Sequence, residues 1–361
     1  MKTIKVFGLP SHQTEDRTSG VDFVRIIQPI TALNGYEKDG IHFETEMFDI
    51  KDKMDWLTVA KKFDVIFLNY IVDPWGYAAM GAMARAHNCK IVMDLDDALW
   101  YVRSDNPTAG AYKKNGENIR NLGCMLDDVD LVTCTNDYLR NVIIAQTNKK
   151  YERIKVIDNY IDIENTFTKK PSFKDTKEIR LSHHGSTTHF EDLQNEEFAK
   201  GVDRIMREYP NVTIEFIGAF IPKYRERWGM RYVDLYGARD IYEWSGKRFP
   251  ELMKEVDIVI TPLQDNIYTR CKSGIKYLEN GAMGKPGVYQ SMNQYHKYIT
   301  HGENGYLANS ADDWYLSIKD LIDNPVKRRE MGENAYKTIQ GETIQRHVGE
   351  YAEMFKELVA K

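Results

Sequence analysis

The sequence contains few cysteines, and none of them is spaced for a metal site or a disulfide framework. Cys89, Cys124, Cys134 and Cys271 are scattered over 361 residues without any CxxC pair. Structural zinc sites and small disulfide-bonded scaffolds both need cysteines at short, fixed intervals. We therefore expect four reduced thiols, no zinc and a cytoplasmic protein.

Long apolar runs are missing as well. No stretch approaches the ~18 consecutive apolar residues that indicate a membrane-spanning helix. The first residues, MKTIKVFGLPSH, predict a short strand and a loop, and they lack the apolar segment of a secretory signal peptide. A transmembrane segment or an exported protein is therefore not expected.

An excess of positive charge is also absent, since the formal net charge is -5. Such a balance gives no bulk attraction to nucleic acid, although it is compatible with a local basic groove. What the chain does contain is 42% hydrophobic residues, with 22 Tyr and 6 Trp. Its length suffices for two domains with large cores, and its aromatic side chains suit core packing as well as stacking on sugars or bases.

Short apolar segments alternate with amphipathic segments along the whole chain. We predict strands at 4–7, 42–48, 65–69, 90–94, 131–134, 155–157, 178–182, 213–217, 256–262 and 287–290, and helices at 21–33, 77–87, 137–146, 190–208, 314–322, 326–339 and 343–358. This alternation predicts parallel sheets that are covered by helices on both faces. A polar stretch at 162–177 interrupts it and is interpreted as a linker, so we expect two doubly wound α/β domains with a ligand cleft between them.

The most informative segment spans residues 257–308. An apolar strand is followed by a polar loop and then by a predicted helix that begins at Lys272 and Ser273. In such a helix Lys272, Lys276 and Glu279 stand at i, i+4 and i+7 and share one face. The free N–H groups and the dipole of a helix N-terminus favour an anion. The pattern therefore predicts a diphosphate near the lysines and a ribose near the glutamate.

A plain structural interpretation stands beside this one. Lysine and glutamate at i, i+3 or i, i+4 usually form a solvated surface pair. Two features favour a ligand site here: the charges follow a buried strand directly, and glycines end the helix before another apolar strand. Ligands of open α/β sheets bind at the carboxyl ends of strands, which is where this helix begins.

These residues resemble the nucleotide-sugar domain of a GT-B glycosyltransferase, and the segment is similar to the retaining family 4 group. The resemblance rests on DIVITPL, CKSGIKYLENGAMGKPGV, residues 295–299, HGENGYLA and NPVKRREMGENAY, and in the N-terminal half on GVDFVRIIQPI, KIVMDLDDALW, DLVTCTNDYLRN and VIDNYIDI. It covers most of the chain. It implies an acceptor-side Rossmann-like domain at 1–165, a nucleotide-sugar domain at 178–340, and a helix at 341–361 that returns to the first domain.

The resemblance also implies roles for single residues. Glu279 stands where the family's second glutamate of an E-x7-E motif binds the donor ribose, whereas Cys271 stands at the first glutamate, which contacts the donor sugar. In this KSxxKxLE variant Lys272 and Ser273 would hold the diphosphate, with Lys276 nearby.

Two glycine loops complete the implied site. Gly185 and Ser186 resemble the loop that approaches the donor phosphates, and Gly20 lies where the first N-terminal loop approaches the reacting centre. The expected catalytic residues are accordingly Lys272, Glu279 and Gly20.

The expected chemistry needs few catalytic side chains. As the diphosphate leaves the anomeric carbon, lysines and helix N–H groups stabilise the charge on its bridging oxygen. In the resembled retaining group the acceptor hydroxyl attacks on the face that the diphosphate leaves, and a phosphate oxygen takes its proton. We expect no metal and no other cofactor, and we take UDP as the working nucleotide.

An acidic cluster, Asp94, Asp96 and Asp97, follows a buried strand and has three interpretations. Its oxygens suit Mg or Mn, as in glycosyltransferases that bind a metal with a DxD motif. The same residues suit a helix cap or another structural role. They also suit contacts to the acceptor or the sugar, and we prefer these last two interpretations to the metal.

A group of histidines surrounds the Gly185 loop, namely His183, His184 and His189. With Glu191 or Asp192 they could bind a metal, but such histidines more often line a phosphate or sugar pocket or simply pack. His189 is the preferred contact to donor or acceptor. Arg25 is expected to be a surface arginine, with a phosphate contact as the alternative.

The sequence as a whole predicts a glycosyltransferase whose acceptor is a glycan or a lipid-linked glycan. One alternative is a phage-type enzyme that glycosylates a hydroxymethylated base in DNA, which would have to flip the base out of the duplex. Another is a non-catalytic two-domain protein that closes on a sugar. Oligomeric state is not predicted.

Overall fold

The structure is a computed structural model. It describes residues 2–12, 19–51, 53–104, 106, 109–114, 116–167, 177–185, 189–218, 221–235 and 248–360. Its strands are assembled into two separate sheets that follow one another along the chain.

The first sheet has seven strands in the order β2-β3-β1-β4-β5-β6-β7. All neighbours are parallel except the short edge strand β2, which forms an antiparallel hairpin with β3. The strands are β1 (Lys2–Leu9), β2 (Glu37–Lys38), β3 (Ile41–Met47), β4 (Val65–Asn69), β5 (Lys90–Leu95), β6 (Leu131–Cys134) and β7 (Ile154–Val156). Every residue of β4 and of β6 is buried, as expected for a parallel sheet that is covered on both faces.

The second sheet has six parallel strands in the order β10-β9-β8-β11-β12-β13. They are β8 (Ile179–His184), β9 (Val212–Ile217), β10 (Tyr232–Leu235), β11 (Ile258–Thr261), β12 (Gly287–Gln290) and β13 (Tyr306–Ala308). This is the doubly wound order 3-2-1-4-5-6, which reverses between β8 and β11. A crevice for a ligand is expected beyond the carboxyl ends of those two strands.

Helices cover both sheets. They are α1 (Gly20–Asp22), α2 (Gln28–Leu33), α3 (Trp56–Lys62), α4 (Pro74–Ala86), α5 (Glu117–Asp128), α6 (Asp137–Gln146), α7 (Ile163–Thr166), α8 (Glu196–Glu208), α9 (Pro222–Trp228), α10 (Arg248–Met253), α11 (Ile267–Arg270), α12 (Ile275–Ala282), α13 (Asn293–His296), α14 (Ala311–Asp323), α15 (Pro325–Ile339) and α16 (Ile344–Val359). Helix α8 shows why these segments are helical, because Phe198, Val202 and Ile205 recur every three or four residues and are buried.

The C-terminal helix α16 returns to the first sheet. Val348, Tyr351 and Phe355 are buried in one apolar cluster with Ile4 and Phe67 of that sheet. The predicted pair of parallel-sheet, Rossmann-like units is therefore confirmed. The exact domain boundaries at 1–165, 178–340 and 341–361 stay a prediction.

Two predicted helices differ in detail. The helix at 21–33 contains a π-helical turn, Phe23–Ile27, between α1 and α2. The helix predicted from residue 190 begins only at Glu196, because the Asn195 side chain caps it by accepting the N–H of Phe198. In the described part of the chain, no helix is both long and apolar enough to cross a lipid bilayer.

A buried ion pair lies inside the first unit. The Arg25 side chain is 1% exposed and donates two hydrogen bonds to Asp94, which is 0% exposed, with Nε–Oδ2 at 2.9 Å and Nη2–Oδ1 at 2.6 Å. Thr133 also donates to Asp94. The expectation of a surface arginine is wrong, since the π-helical turn directs Arg25 into the protein. Asp94 is thus enclosed by Arg25 and Thr133, a structural position with no access for a sugar or an acceptor.

The ion pair allows a stability prediction. Asp94→Asn should lower the free energy of unfolding by about 3–5 kcal/mol, because it leaves the Arg25 charge buried without its partner. Urea unfolding followed by circular dichroism measures this change. Asp312→Asn, which breaks an exposed pair with Arg204, is the matched control and should unfold almost as the wild type does. Equal losses in both variants would contradict the prediction.

Candidate active site

The connection between α11 and α12 differs from the predicted helix. Helix α12 begins at Ile275 with Gly274 as its N-cap, so Lys272 lies in the preceding connection. The prediction of a helix that begins at Lys272 is therefore wrong, whereas Lys276 and Glu279 do lie on the helix. Gly274 sets this start, since a Cβ there would lie 2.5 Å from the backbone oxygen of Gln294. Only glycine permits the close approach.

The first polar cluster of the site contains Glu279, Lys276 and His184. The buried Glu279 carboxylate lies 2.9 Å from His184 Nε2 and 3.3 Å from Lys276 Nζ. Burial pushes the pKa of Glu279 upward, but the Lys276 charge and the His184 hydrogen bond together outweigh it and hold the pKa below its ordinary value. Burial lowers the pKa of His184 to about 4. A neutral His184 therefore donates its Nε2–H to an ionised Glu279.

The second polar cluster joins the two sheet units. Lys272 Nζ lies 3.1 Å from Oδ1 of Asp97, which follows β5 of the first sheet. The Tyr268 hydroxyl donates to Oδ2 of Asp97 at 2.9 Å, and Lys272 Nζ lies 4.5 Å from the centre of the Tyr268 ring. Burial by itself would lower the pKa of Lys272. The nearby carboxylates of Asp97 and Asp192 outweigh this effect and hold the pKa above its ordinary value. Lys272, whose side chain is 14% exposed, is a half-buried cation that contacts both units.

A third cluster lies beyond the carboxyl end of β8. His189 Nδ1 is 2.9 Å from Oδ2 of Asp192, and Asp192 Oδ1 accepts the backbone N–H of Gln264 at 3.1 Å. Burial raises the pKa of Asp192 to about 7. A Cβ at Gly185 would lie 2.7 Å from the His189 ring, so glycine is needed for this packing. The predicted Ser186 lies outside the described residues.

The structure thus brings most predicted residues to one crevice. Lys272 acts electrostatically on His189 and on Asp192, and Lys276 acts on His184 and on His189. These groups lie where the strand order of the second sheet reverses, between β8 and β11. Two lysines, two histidines and an ionised glutamate therefore lie close enough to influence one another's charge at this edge of the sheet.

Other predicted residues lie elsewhere. Ser273 accepts a hydrogen bond from Asn159 at 2.6 Å and lines a separate cavity between the two sheets. Gly20 begins α1 beyond the carboxyl end of β1, next to Asp22, which accepts the backbone N–H groups of Ser11 and His12. Asp96 is half-buried, and burial followed by the Asp97 charge holds its pKa well above the ordinary value. Of the three aspartates, only Asp97 contacts the predicted donor site.

Sequence reasoning missed Tyr268 and the position of Cys271. Both side chains are buried in the apolar cluster of the first unit. The Cys271 carbonyl accepts hydrogen bonds from Thr135 and Asn136 at 3.2 and 2.8 Å. No sequence pattern predicts the contact of Tyr268 with Asp97, because that contact depends on how the two units pack against each other.

A metal site was one interpretation of the acidic and histidine clusters. Within the ranges that the structure describes, no three His, Cys, Asp or Glu side chains converge in a way that would hold a metal ion. The oxygens of Asp94 are already engaged by Arg25 and Thr133.

The buried Asp192 allows a pH prediction. Its folded-state pKa of about 7 exceeds its ordinary value of 3.8, so the folded protein keeps a proton that the unfolded chain releases. The wild type should therefore lose stability relative to Asp192→Asn as the pH rises from about 4 to about 7, and the difference should level off above that. Urea unfolding midpoints across this range measure it. A difference that does not change with pH would contradict the assignment.

Comparisons with known proteins agree with the fold. Residues 181–324 match the model of a family described as Glycosyl transferases group 1. No curated protein sequence matches the chain. HepE from Anabaena, solved with UDP-glucose, is 15% identical with a TM-score of 0.64, over 97% of this chain and 100% of HepE. Sucrose-phosphate synthase from Thermosynechococcus elongatus is 12% identical with a TM-score of 0.63, over 100% of both chains.

TarM from S. aureus, solved with UDP and alpha-GlcNAc-glycerol, is 14% identical with a TM-score of 0.58. The match covers 81% of this chain but only 55% of TarM, so the chain spans about half the length of that protein. At these identities the solved structures establish the fold alone. Residues 181–324 are thus similar to a glycosyltransferase group 1 domain, and the chain as a whole has the GT-B fold.

Proposed function

We propose that the chain transfers a sugar from a nucleoside diphosphate sugar, with UDP as the nucleotide, to a hydroxyl of an acceptor glycan or lipid-linked glycan. The observation that carries the proposal is the charge arrangement at the carboxyl edge of the second sheet. Lys272 and Lys276 flank the N-terminus of α12, and Glu279 follows one turn later. Solved neighbours of the same fold contain UDP or UDP-glucose, which supports the choice of nucleotide.

In this proposal two successive turns of α12 bind different parts of the donor. The ionised Glu279, fixed by His184, accepts hydrogen bonds from the ribose hydroxyls. Lys276 receives the diphosphate near the positive end of the α12 dipole, and Lys272 approaches it from the preceding connection. Gly185 allows the His189 ring to pack against the end of β8, beside the proposed donor site, because it adds no Cβ there.

The transfer step follows from the same charges. The bond between the anomeric carbon and the diphosphate oxygen breaks, and the acceptor oxygen forms the new bond. Lys272 and Lys276 stabilise the negative charge that grows on the leaving oxygen. We propose retention of configuration, with a phosphate oxygen taking the acceptor proton. We also propose that no metal is required, since the two lysines supply the positive charge that a metal would otherwise provide.

The acceptor is proposed to bind at the rim of the first unit, beyond the carboxyl ends of β4 and β5. Half-buried aromatic and apolar side chains follow β4 and β5 there, among them Trp100, Tyr101 and Tyr112. Aromatic faces that line a cleft are suited to stacking on sugar rings. His189 and Asp96 are kept as proposed contacts to sugar or acceptor. The formal net charge of -5 gives no bulk attraction to DNA, and the matched segment favours transfer over sugar binding alone.

The central experiment measures transfer and donor hydrolysis with a panel of nucleotide sugars, with and without a metal chelator. Lys272→Ala and Glu279→Ala should each lower kcat/KM by about 100-fold while circular dichroism stays unchanged, because each removes a charged contact to the donor. Activity should persist in the chelator.

Two surface variants serve as controls. Glu197 and Lys200 form an exposed i, i+3 pair on α8, which repeats the chemistry of the Lys276–Glu279 pair without a cleft. Glu197→Ala and Lys200→Ala should keep wild-type turnover. Full activity of both Lys272→Ala and Glu279→Ala would sink the proposed function.

A further inference from the structure

The inference concerns the residue that recognises the transferred sugar, and it rests on the proposed function. If the ribose lies at Glu279 and the diphosphate at Lys276, the donor runs toward the start of α12. The sugar then lies beyond Lys272, where the second unit meets the first. Any group that recognises its hydroxyls must therefore lie close to Lys272.

The residue directly before Lys272 is unable to do so. Cys271 is 0% exposed and belongs to the apolar cluster of the first unit. Burial raises the pKa of its thiol to about 12, so it stays uncharged. Its carbonyl is engaged by Thr135 and Asn136. Cys271 therefore anchors the connection to the first unit, and it presents no polar group to a ligand.

Asp97 contacts Lys272 and can supply the polar group for the sugar that Cys271 lacks. Its side chain is 23% exposed and lies at the junction of the two units. Oδ1 accepts a hydrogen bond from Lys272 at 3.1 Å, and Oδ2 accepts one from the Tyr268 hydroxyl at 2.9 Å and a longer contact from Lys272 at 3.5 Å. A carboxylate has about four lone-pair sites, and the 3.5 Å contact lies at the limit of a hydrogen bond, so both oxygens can still accept hydroxyl protons. The two donors hold the carboxylate in a fixed orientation.

We propose that Asp97 is a specificity-determining residue that accepts hydrogen bonds from two neighbouring hydroxyls of the transferred sugar. The first unit thereby supplies the carboxylate that selects the sugar, while the second unit supplies the diphosphate site. Lys272 links the two, since it contacts Asp97 on one side and faces the diphosphate on the other.

The other carboxylates near Lys272 fit this task less well. Both oxygens of Asp192 are engaged inside the second unit, by His189 and by the Gln264 backbone. Among the described residues, none donates a hydrogen bond to the Asp96 carboxyl that would fix its orientation for a particular pair of hydroxyls. Asp97 alone combines partial exposure with two fixed contacts.

The test compares binding of UDP with turnover of the UDP-sugar that the donor panel identifies. Asp97→Asn should bind UDP at least as tightly as the wild type, because Lys272 is released to the phosphate. Its kcat/KM for the UDP-sugar should fall about 10- to 100-fold, because a charged acceptor for two hydroxyls is lost. Donors that lack one recognised hydroxyl should be poor substrates for the wild type but should show little further loss in Asp97→Asn.

Arg103→Gln is the matched control, since it breaks another contact between the units, the Arg103–Glu191 pair at 2.8 Å. It should keep turnover within about 3-fold of the wild type, as expected for loss of a partly exposed ion pair. An equal loss of UDP and UDP-sugar affinity in Asp97→Asn would overturn the inference and leave Asp97 as a positioning residue for Lys272. An equal loss of turnover in Arg103→Gln would also overturn it. A wild type that binds neither UDP nor any UDP-sugar would instead overturn the proposed function.

Discussion

The contact between Lys272 and Asp97 is the interaction on which the rest of the site depends. Withdrawing most of a lysine side chain from water is costly unless a carboxylate compensates its charge. Here the lysine comes from the second unit and its compensating carboxylate comes from the first. The lysine of the proposed diphosphate site therefore has its compensating carboxylate only when the two units are in contact. The short connection between α11 and α12 determines the position of that lysine.

The same connection explains why small and apolar residues surround the charged ones. Tyr268 and Cys271 place their side chains in the apolar cluster of the first unit, which fixes the segment without using charges. Gly274 then allows α12 to begin against the backbone of Gln294. Lys276 and Glu279 consequently point to His184 at the end of β8. Residues that pack in the apolar core and residues that carry charge thus alternate between positions 268 and 279.

The fold was largely predictable from the sequence, because strands such as β4 and β6 consist mostly of apolar residues and helices such as α6 carry clear caps. Gly185 lies at the carboxyl end of β8 and Lys276 and Glu279 lie on α12, as the alternation of strands and helices predicts, and their roles toward a donor stay predictions. The start of α12 was predicted wrongly, because the close contact of Gly274 with Gln294 joins residues that lie 20 positions apart. The burial of Arg25 with Asp94 and the contact of Lys272 with Asp97 were not predictable, because each joins residues that are distant in sequence.

Hydrogen–deuterium exchange with added UDP and UDP-sugar tests the central claim, that one donor site is shared by the two units, most directly. The account predicts that UDP slows exchange at the end of β8 and in residues 271–279. It also predicts that the UDP-sugar slows exchange at residues 94–99, which UDP alone leaves nearly unchanged. Protection by the UDP-sugar that stays within the second unit, or that appears only far from the α11–α12 connection, would contradict the account.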